Sequence, residues 1–241
     1  MQILGLNKTT LLDYPGHVAA AVFTGGCQFR CPFCHNGELV LNPSCGSHCT
    51  QEDIFSFLNK RKNILQGVCI TGGEPTLQGD LEDFMREVRG LGYLVKLDTN
   101  GYEPDVLEKL LKDGLLDYVA MDIKNCPGKY GMTAGRESLE MDRVTRSVEL
   151  LKHSGIDYEF RTTVVREFHT TEDIVEIGKW IVGCPVYFLQ QYQDSENVIE
   201  TMRCGRQEVF HGYDISVMEE MAEAVRHLPG MTGKVELRGV E

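Results

Sequence analysis

Residues 17–36 read H-V-A-A-A-V-F-T-G-G-C-Q-F-R-C-P-F-C-H-N. Their first part, His17–Thr24, is a short apolar run that predicts a buried strand. The loop behind it delivers three cysteines, Cys27, Cys31 and Cys34, spaced C-x3-C-x2-C. A strand whose C-terminal end carries chemistry is the mark of parallel β/α folds, in which ligands bind at that end of the strands.

The rest of the chain repeats the alternation. Thr50, with Asp53 three residues on, predicts a capped helix to about Lys62. Strands follow at Val68–Thr71, Leu94–Asp98, Leu116–Asp122, Tyr158–Val165 and Val186–Gln190. Between them fall helices at Asp80–Gly90, Glu103–Lys112, Glu137–His153 and Glu172–Ile181. A helix at Ile215–Leu228 and a last strand at Lys234–Leu237 close the chain. Such alternation with short loops means right-handed βαβ units and a parallel sheet. Six units are too few for a closed eight-stranded barrel. An α/β fold built as a partial (β/α)6 barrel fits the count, and a doubly wound sheet is the alternative that spacing leaves open. No repeat or long linker interrupts the pattern.

The chain has 241 residues, 42% hydrophobic and 25% charged, with a net charge of −12. This is an ordinary globular composition. The acidic balance weighs against non-specific nucleic-acid binding, which Lys and Arg carry. No apolar run approaches a membrane span, and M-Q-I-L-G-L-N-K-T-T lacks the pattern of a secretory signal. The expectation is a cytoplasmic protein whose thiols stay reduced.

Nine cysteines without a signal peptide do not read as a disulfide framework. Structural zinc wants four ligands, usually in pairs, and three clustered cysteines leave it one short. Three thiolates can instead hold three corners of a [4Fe–4S] cubane and leave one iron open, whereas electron-transfer clusters are normally closed by four cysteines.

The other unusual residues fall on the same rim of the predicted sheet: Gly72-Gly73-Glu74 after the second predicted strand, then Asp98-Thr99-Asn100-Gly101, Met121-Asp122-Ile123-Lys124, Arg161 and Gln190-Gln191. Glycine backbone can approach a ligand closely. Glu74 can hold an ammonium. Lys124 and Arg161 can hold carboxylates or ribose edges, and Phe33 can face a purine. A ligand with an amino-acid end, a ribose and a base meets that description. S-adenosylmethionine (SAM) has those parts, and its amino and carboxyl groups can chelate an open iron.

With these motifs the chain resembles the radical SAM enzymes. The stretches K-T-T-L-L-D-Y-P-G-H, G-V-C-I-T-G-G-E-P-T-L-Q, L-V-K-L-D-T-N-G, D-Y-V-A-M-D-I-K and F-R-T-T-V-V resemble the activating enzymes of glycyl radical enzymes, most nearly the anaerobic ribonucleoside-triphosphate reductase activating protein group. The resemblance implies a radical SAM core over 1–192 and a helix–strand extension over 193–241. It implies a [4Fe–4S] cluster on Cys27, Cys31 and Cys34, reduced by flavodoxin or ferredoxin. SAM would be cleaved to a 5′-deoxyadenosyl radical that takes a glycine Cα hydrogen from a partner, anaerobic ribonucleotide reductase by the nearest resemblance. Gly72, Gly73, Glu74, Asp98, Asn100, Lys124, Arg161 and Phe33 would contact SAM. Asp98, Thr99, Met121 and Asp122 match positions that hold a monovalent cation in the pyruvate formate-lyase activating relative, with loop capping as the plainer reading of the two aspartates. That relative places a histidine on the cofactor after its sixth strand. Here Gln191 or Gln193 stands in its place. Cys45, His48 and Cys49, with Cys126 or Cys204, are a second candidate metal set, against the plainer reading of free thiols. Cys69, Cys184, Trp180 and the methionines at helical spacing read as core, and His35 as shaping the cluster loop.

Overall fold

The computed structural model describes residues 1–44, 49–206 and 209–240. One sheet contains β1 (Ile3–Thr10), β2 (Ala19–Thr24), β3 (Gly67–Gly72), β4 (Leu94–Thr99), β5 (Tyr118–Asp122), β6 (Asp157–Val164), β7 (Val186–Gln191) and β8 (Lys234–Arg238). The strands lie side by side in chain order. From β2 onward every pair is parallel, whereas β1 runs antiparallel to β2. The strand order never reverses, so this is no doubly wound sheet: right-handed crossovers between successive neighbours put their helices on one face. The expected partial (β/α)6 barrel corresponds to β2–β7, extended by β1 at one edge and β8 at the other.

The crossover helices are α2 (Gln51–Asn59), α3 (Leu81–Gly90), α4 (Pro104–Lys112), α6 (Met141–Lys152), α7 (Thr171–Trp180) and α9 (Ile215–Arg226). Shorter helices lie at α1 (Gly37–Leu41), α5 (Tyr130–Thr133) and α8 (Ile199–Cys204). The Thr50/Asp53 capping box forms as expected, each side chain accepting from the other's backbone N–H. Helix α6 starts later than its expected Glu137. The preceding backbone is engaged elsewhere, with Arg136 N–H donating to Gly131 O and Glu140 N–H to the Tyr102 hydroxyl.

Period-two alternation sorts the strand side chains into two faces. Val68 and Ile70, Val95 and Leu97, Val119 and Met121, Phe160 and Val164, and Tyr187 and Leu189 join the hydrophobic core with the helices. Each such side chain taken out of water stabilises the fold by about 1.5–3 kcal/mol. The intervening positions carry Cys69, Lys96, Asp98, Asp122, Glu159 and Arg161, so the opposite face is polar and charged although much of it is buried. Among the described residues no helix is long and apolar enough to cross a membrane.

Candidate active site

A cavity opens at the C-terminal rim. Its lining includes Cys27, Cys31, Cys34, Gly72, Gly73, Glu74, Asp98, Thr99, Asn100, Asp122, Lys124 and Arg161, together with Phe29, Asn36, Val40 and Thr71. Counting its open mouth, the empty space there is about 550 Å³. Most of the rim residues singled out in the sequence therefore meet in one place.

The three thiols come from the loop between β2 and α1. Burial pushes the Cys27 and Cys31 thiols up to about 12 and raises Cys34 too. With no cation beside it, a buried thiol stays protonated. A bound metal centre reverses that logic, because coordination deprotonates a thiol outright. Among the described residues no three His, Cys, Asp or Glu side chains are arranged around a single ion. A cubane asks for something different, one thiolate on each of three irons around a shared space, and these three thiols, the cysteines that line the cavity among the described residues, fit that demand. Phe29 N–H and Asn100 Nδ2 both donate to Cys27 Sγ, at 3.3 and 3.7 Å. Hydrogen bonds to cluster sulfurs help set the potential.

Gly72-Gly73-Glu74 stitches β3 to the cysteine loop. Gly73 N–H donates to Thr24 O and Glu74 N–H to Gly26 O, at 2.9 and 2.8 Å. A Cβ on Gly73 would lie 2.0 Å from Gly26 O, and one on Gly72, whose φ is +116°, would lie 2.3 Å from Thr24 N. The glycines thus let two backbones approach each other, a packing role beyond closeness to a ligand. Gly73→Ala must move the cysteine loop. We expect it to cost about 1–3 kcal/mol and to lower the iron retained after anaerobic reconstitution, read by melting temperature and iron content.

Glu74 is 1% exposed. Its Oε1 accepts from Thr76 N–H and from the Thr99 hydroxyl, and its Oε2 from Asn100 N–H at 2.7 Å. Burial raises its pKa against the pull of those donors. Oε2 keeps a lone pair for a ligand ammonium, so Glu74 is at once a clamp on the β4 end and a candidate ligand contact.

Behind it runs a chain of alternating charges. Lys96 meets Asp98 Oδ1, Arg161 Nη2 lies 3.3 Å from Asp98 Oδ2, Arg161 Nε meets Asp122 Oδ1, and Lys124 Nζ lies 2.9 Å from Asp122 Oδ2. Register explains the reach. Arg161 on β6 pairs with Asp122, and Asp98 on β4 pairs with the small Ala120, so Arg161 reaches Asp98 diagonally across β5. Burial would raise both carboxyls, but the adjacent guanidinium and ammonium groups hold them below the usual carboxylate range. Burial would likewise lower Lys124, but Asp122 and the nearby cysteines raise it. The lysine stays charged at the cavity wall.

Two expectations need correction, at Phe33 and at Gln191 or Gln193. Phe33 is 4% exposed, packs on Phe168 and His169, and does not line the cavity. It shapes the cysteine loop from behind. The Met121 side chain projects into the helix-side core, against Gly101, and its backbone lies beside Asp122. Gln191 donates to Tyr213 O at 2.7 Å and Gln193 to Gly239 O at 3.1 Å. Gln191 ties the end of β7 to the loop before α9, Gln193 holds the segment after β8, and neither lines the cavity. Cys45 and His48 lie outside the described residues. Cys126 is buried beside Asp173 and Cys204 is exposed. Cys69 and Cys184 are buried, as expected.

The sequence reading passed over Asn36 and His169. Asn36 Nδ2 donates to Gly72 O at 2.8 Å and lines the cavity. Fully buried His169 accepts from Val165 N–H through Nδ1 and meets Lys124 O at 2.8 Å through Nε2. That pairing calls for the neutral Nε2–H tautomer, and burial lowers its pKa accordingly. His35, packed on Tyr192, reaches Gln193 O.

The sequence profile of the Radical SAM superfamily matches residues 21–181. A Methanocaldococcus jannaschii protein named as a glycyl-radical enzyme activating enzyme is 35% identical over 198 residues, which are 80% of this chain and 81% of that one. The pyruvate formate-lyase-activating enzyme of Clostridium pasteurianum is 30% identical over 154 residues, 61% of this chain and 63% of that one. Streptococcus suis SuiB, solved with S-adenosylmethionine bound, superposes with a TM-score of 0.68 at 16% identity. That superposition covers 90% of this chain, which spans about half of SuiB's length (49%), and it speaks to the fold alone.

Proposed function

The chain belongs to the radical SAM superfamily, and from that membership we propose that it is an activating enzyme for a glycyl radical enzyme, with anaerobic ribonucleotide reductase as its partner. The observation that carries this reading is the cavity itself, in which three thiols face Glu74, Lys124 and Arg161. The 35% identity to a protein named for the same activity supports it across most of the chain. A [4Fe–4S] cluster with SAM on its open iron would supply one-electron cleavage of the sulfonium, fed by flavodoxin or ferredoxin, and hence the radical that takes hydrogen from a glycine Cα.

The protein's part is to hold and to orient. Cys27, Cys31 and Cys34 are the cluster ligands. Glu74 Oε2 and the Gly72–Gly73 backbone would receive the methionyl ammonium. Lys124, kept charged and pinned by Asp122 and His169, would hold the carboxylate or ribose. Arg161 and Asp98 back that wall, and Asn100 bonds Cys27. Residues 1–192 form the catalytic core. The extension 193–241 closes one edge through β8, whose Arg238 meets buried Glu159 at 3.0 Å.

The test is anaerobic. Reconstituted, reduced protein should cleave SAM, and with the host's anaerobic ribonucleotide reductase it should raise a glycyl radical signal by electron paramagnetic resonance. SAM cleavage with no such signal on any glycyl radical enzyme of the host would reassign it to direct action on a small molecule or peptide.

A further inference from the structure

The three cavity cysteines share one loop, but two different parts of the chain hold it. We propose that residues 193–200, which lie outside the residues 21–181 matched by the superfamily profile, are a positioning element of the cluster site. Their backbone seats the Cys34 half of the cysteine loop, and Ile199 is the residue that acts on a ligand cysteine itself. The inference rests on the cluster assignment and goes beyond it, by placing part of the site in the extension.

The Cys27 half is held from within the core. Gly73 and Glu74 donate to Thr24 and Gly26, and Arg30 N–H donates to Ala134 O at 2.9 Å. Gly135, at φ +63°, packs so closely that a Cβ there would lie 2.1 Å from Arg30 O. The Cys34 half is bonded to the extension instead. Ile199 N–H donates to Cys34 O at 3.1 Å, Glu200 N–H to Pro32 O at 3.0 Å and Gly37 N–H to Asn197 O at 3.0 Å. The His35 ring meets Gln193 O and packs on Tyr192. On the core side this half keeps the Asn36 bond to Gly72 O and the packing of Phe33 on Phe168 and His169.

The contact serves both sides. Ile199 and Glu200 open α8, and the first N–H groups of a helix have no partner within it. Val198, at the N-cap, offers no side-chain cap. The Pro32 and Cys34 carbonyls take those two donors, so the loop and the helix end satisfy each other. Val198 and Ile199 are fully buried and fasten the segment. Gly37 admits it: a Cβ there would lie 2.4 Å from Asn197 O and 2.5 Å from Met202 Sδ. Holding the carbonyl of Cys34 fixes the backbone from which its Sγ reaches the shared space. A ligand set works only when such support keeps every member in place. The role does not depend on which partner the enzyme activates.

The test reads Cys34 in the full-length protein without cluster or SAM, so it stands apart from any failure of the proposed activity. Ile199→Pro removes the N–H at the first position of α8, where proline is tolerated. Val198, at φ −67° and ψ 133°, already has the extended backbone that proline requires before it. Ile199→Ala keeps the N–H while giving up at least as much side chain. Both variants are treated with iodoacetamide, and the alkylation rate of each cysteine is followed by peptide mass spectrometry. Cys34 should react about 5-fold or more faster in Ile199→Pro than in Ile199→Ala, the shift in local opening expected for one lost backbone hydrogen bond, while Cys27 and Cys184 differ by less than about 2-fold. After anaerobic reconstitution a chelator should strip iron about 5-fold faster from the proline variant than from the alanine variant. Equal Cys34 rates, or equal loss of iron, would overturn the proposal. So would a parallel rise at Cys184, which marks general unfolding. If the wild type takes up no cluster, the functional reading fails and the alkylation rates still decide the positioning role. If Ile199→Pro does not fold, Gly37→Ala, whose methyl must push Asn197 away, is compared with wild type for the same rise at Cys34, and its absence overturns the proposal.

Discussion

Cys31→Ala protein, reconstituted anaerobically, should lose its [4Fe–4S] signature and cleave SAM at least ~1000-fold more slowly than wild type, a loss of about 4 kcal/mol or more of transition-state stabilisation. Cys31 is the most buried of the three cavity thiols, and with its sulfur gone only two thiolates remain for three corners of a cubane. The fold itself should tolerate the change. Buried cysteine packs as a small hydrophobe, and the residue lies in a loop between β2 and α1, so the metal-free variant should stay within about 1 kcal/mol of wild type. That separates loss of a ligand from loss of structure. Cys184→Ala supplies the control, since Cys184 is equally buried but stands just before β7 and outside the cavity. Its iron content and SAM cleavage should stay near wild type. If Cys31→Ala keeps its cluster, or Cys184→Ala loses it, the ligand assignment is wrong.

Those cysteines were legible because the signal was local. Three ligands on one short loop announce themselves by spacing, and the parallel sheet follows from strands and helices taking turns. What the sequence hid was set by contacts across the chain. β1 was missed because I-L-G-L-N-K-T-T has a glycine early and polar residues late, so no clean alternation marks it. Only pairing with β2 makes it a strand. His169 was missed because its use is revealed only where the loop after β6 meets Lys124 O, 45 positions away in sequence. Phe33 and Gln191 were misplaced for the same reason: a resemblance tells which positions lie near a cofactor but not which way each side chain turns. The charge chain is the clearest case. Asp98 and Asp122 read as cation ligands because they match positions that hold a monovalent cation in the pyruvate formate-lyase activating relative. Nothing in the sequence says that Lys96, Arg161 and Lys124 pair with them.

That chain also sets the second large effect. Asp122→Asn keeps the shape of the side chain and removes the charge between Arg161 and Lys124. The two cations then face each other across an amide, with Asp98 alone to balance them and Lys96. Breaking a buried ion pair from one side costs about 3–5 kcal/mol. Asp122 is 29% exposed and Lys124 19%, so water screens part of it, and about 2 kcal/mol is expected here. In a chain of this length that is a fall of about 4–8 °C in melting temperature. The pH dependence identifies the cause. Arg161 and Lys124 hold the Asp122 carboxyl below its ordinary value. A depressed carboxyl adds stability that is complete above the unfolded value, about 3.9, and is lost as pH falls from there towards the folded value. The gap between wild type and Asp122→Asn should therefore be constant from pH 7 to about pH 5 and narrow in acid below about pH 4. A gap that persists unchanged into acid would mean that Asp122 acts through packing. In the reconstituted enzyme the same substitution should raise the KM for SAM more than it lowers kcat, because it frees Lys124 at the cavity wall while leaving the three cysteines in place.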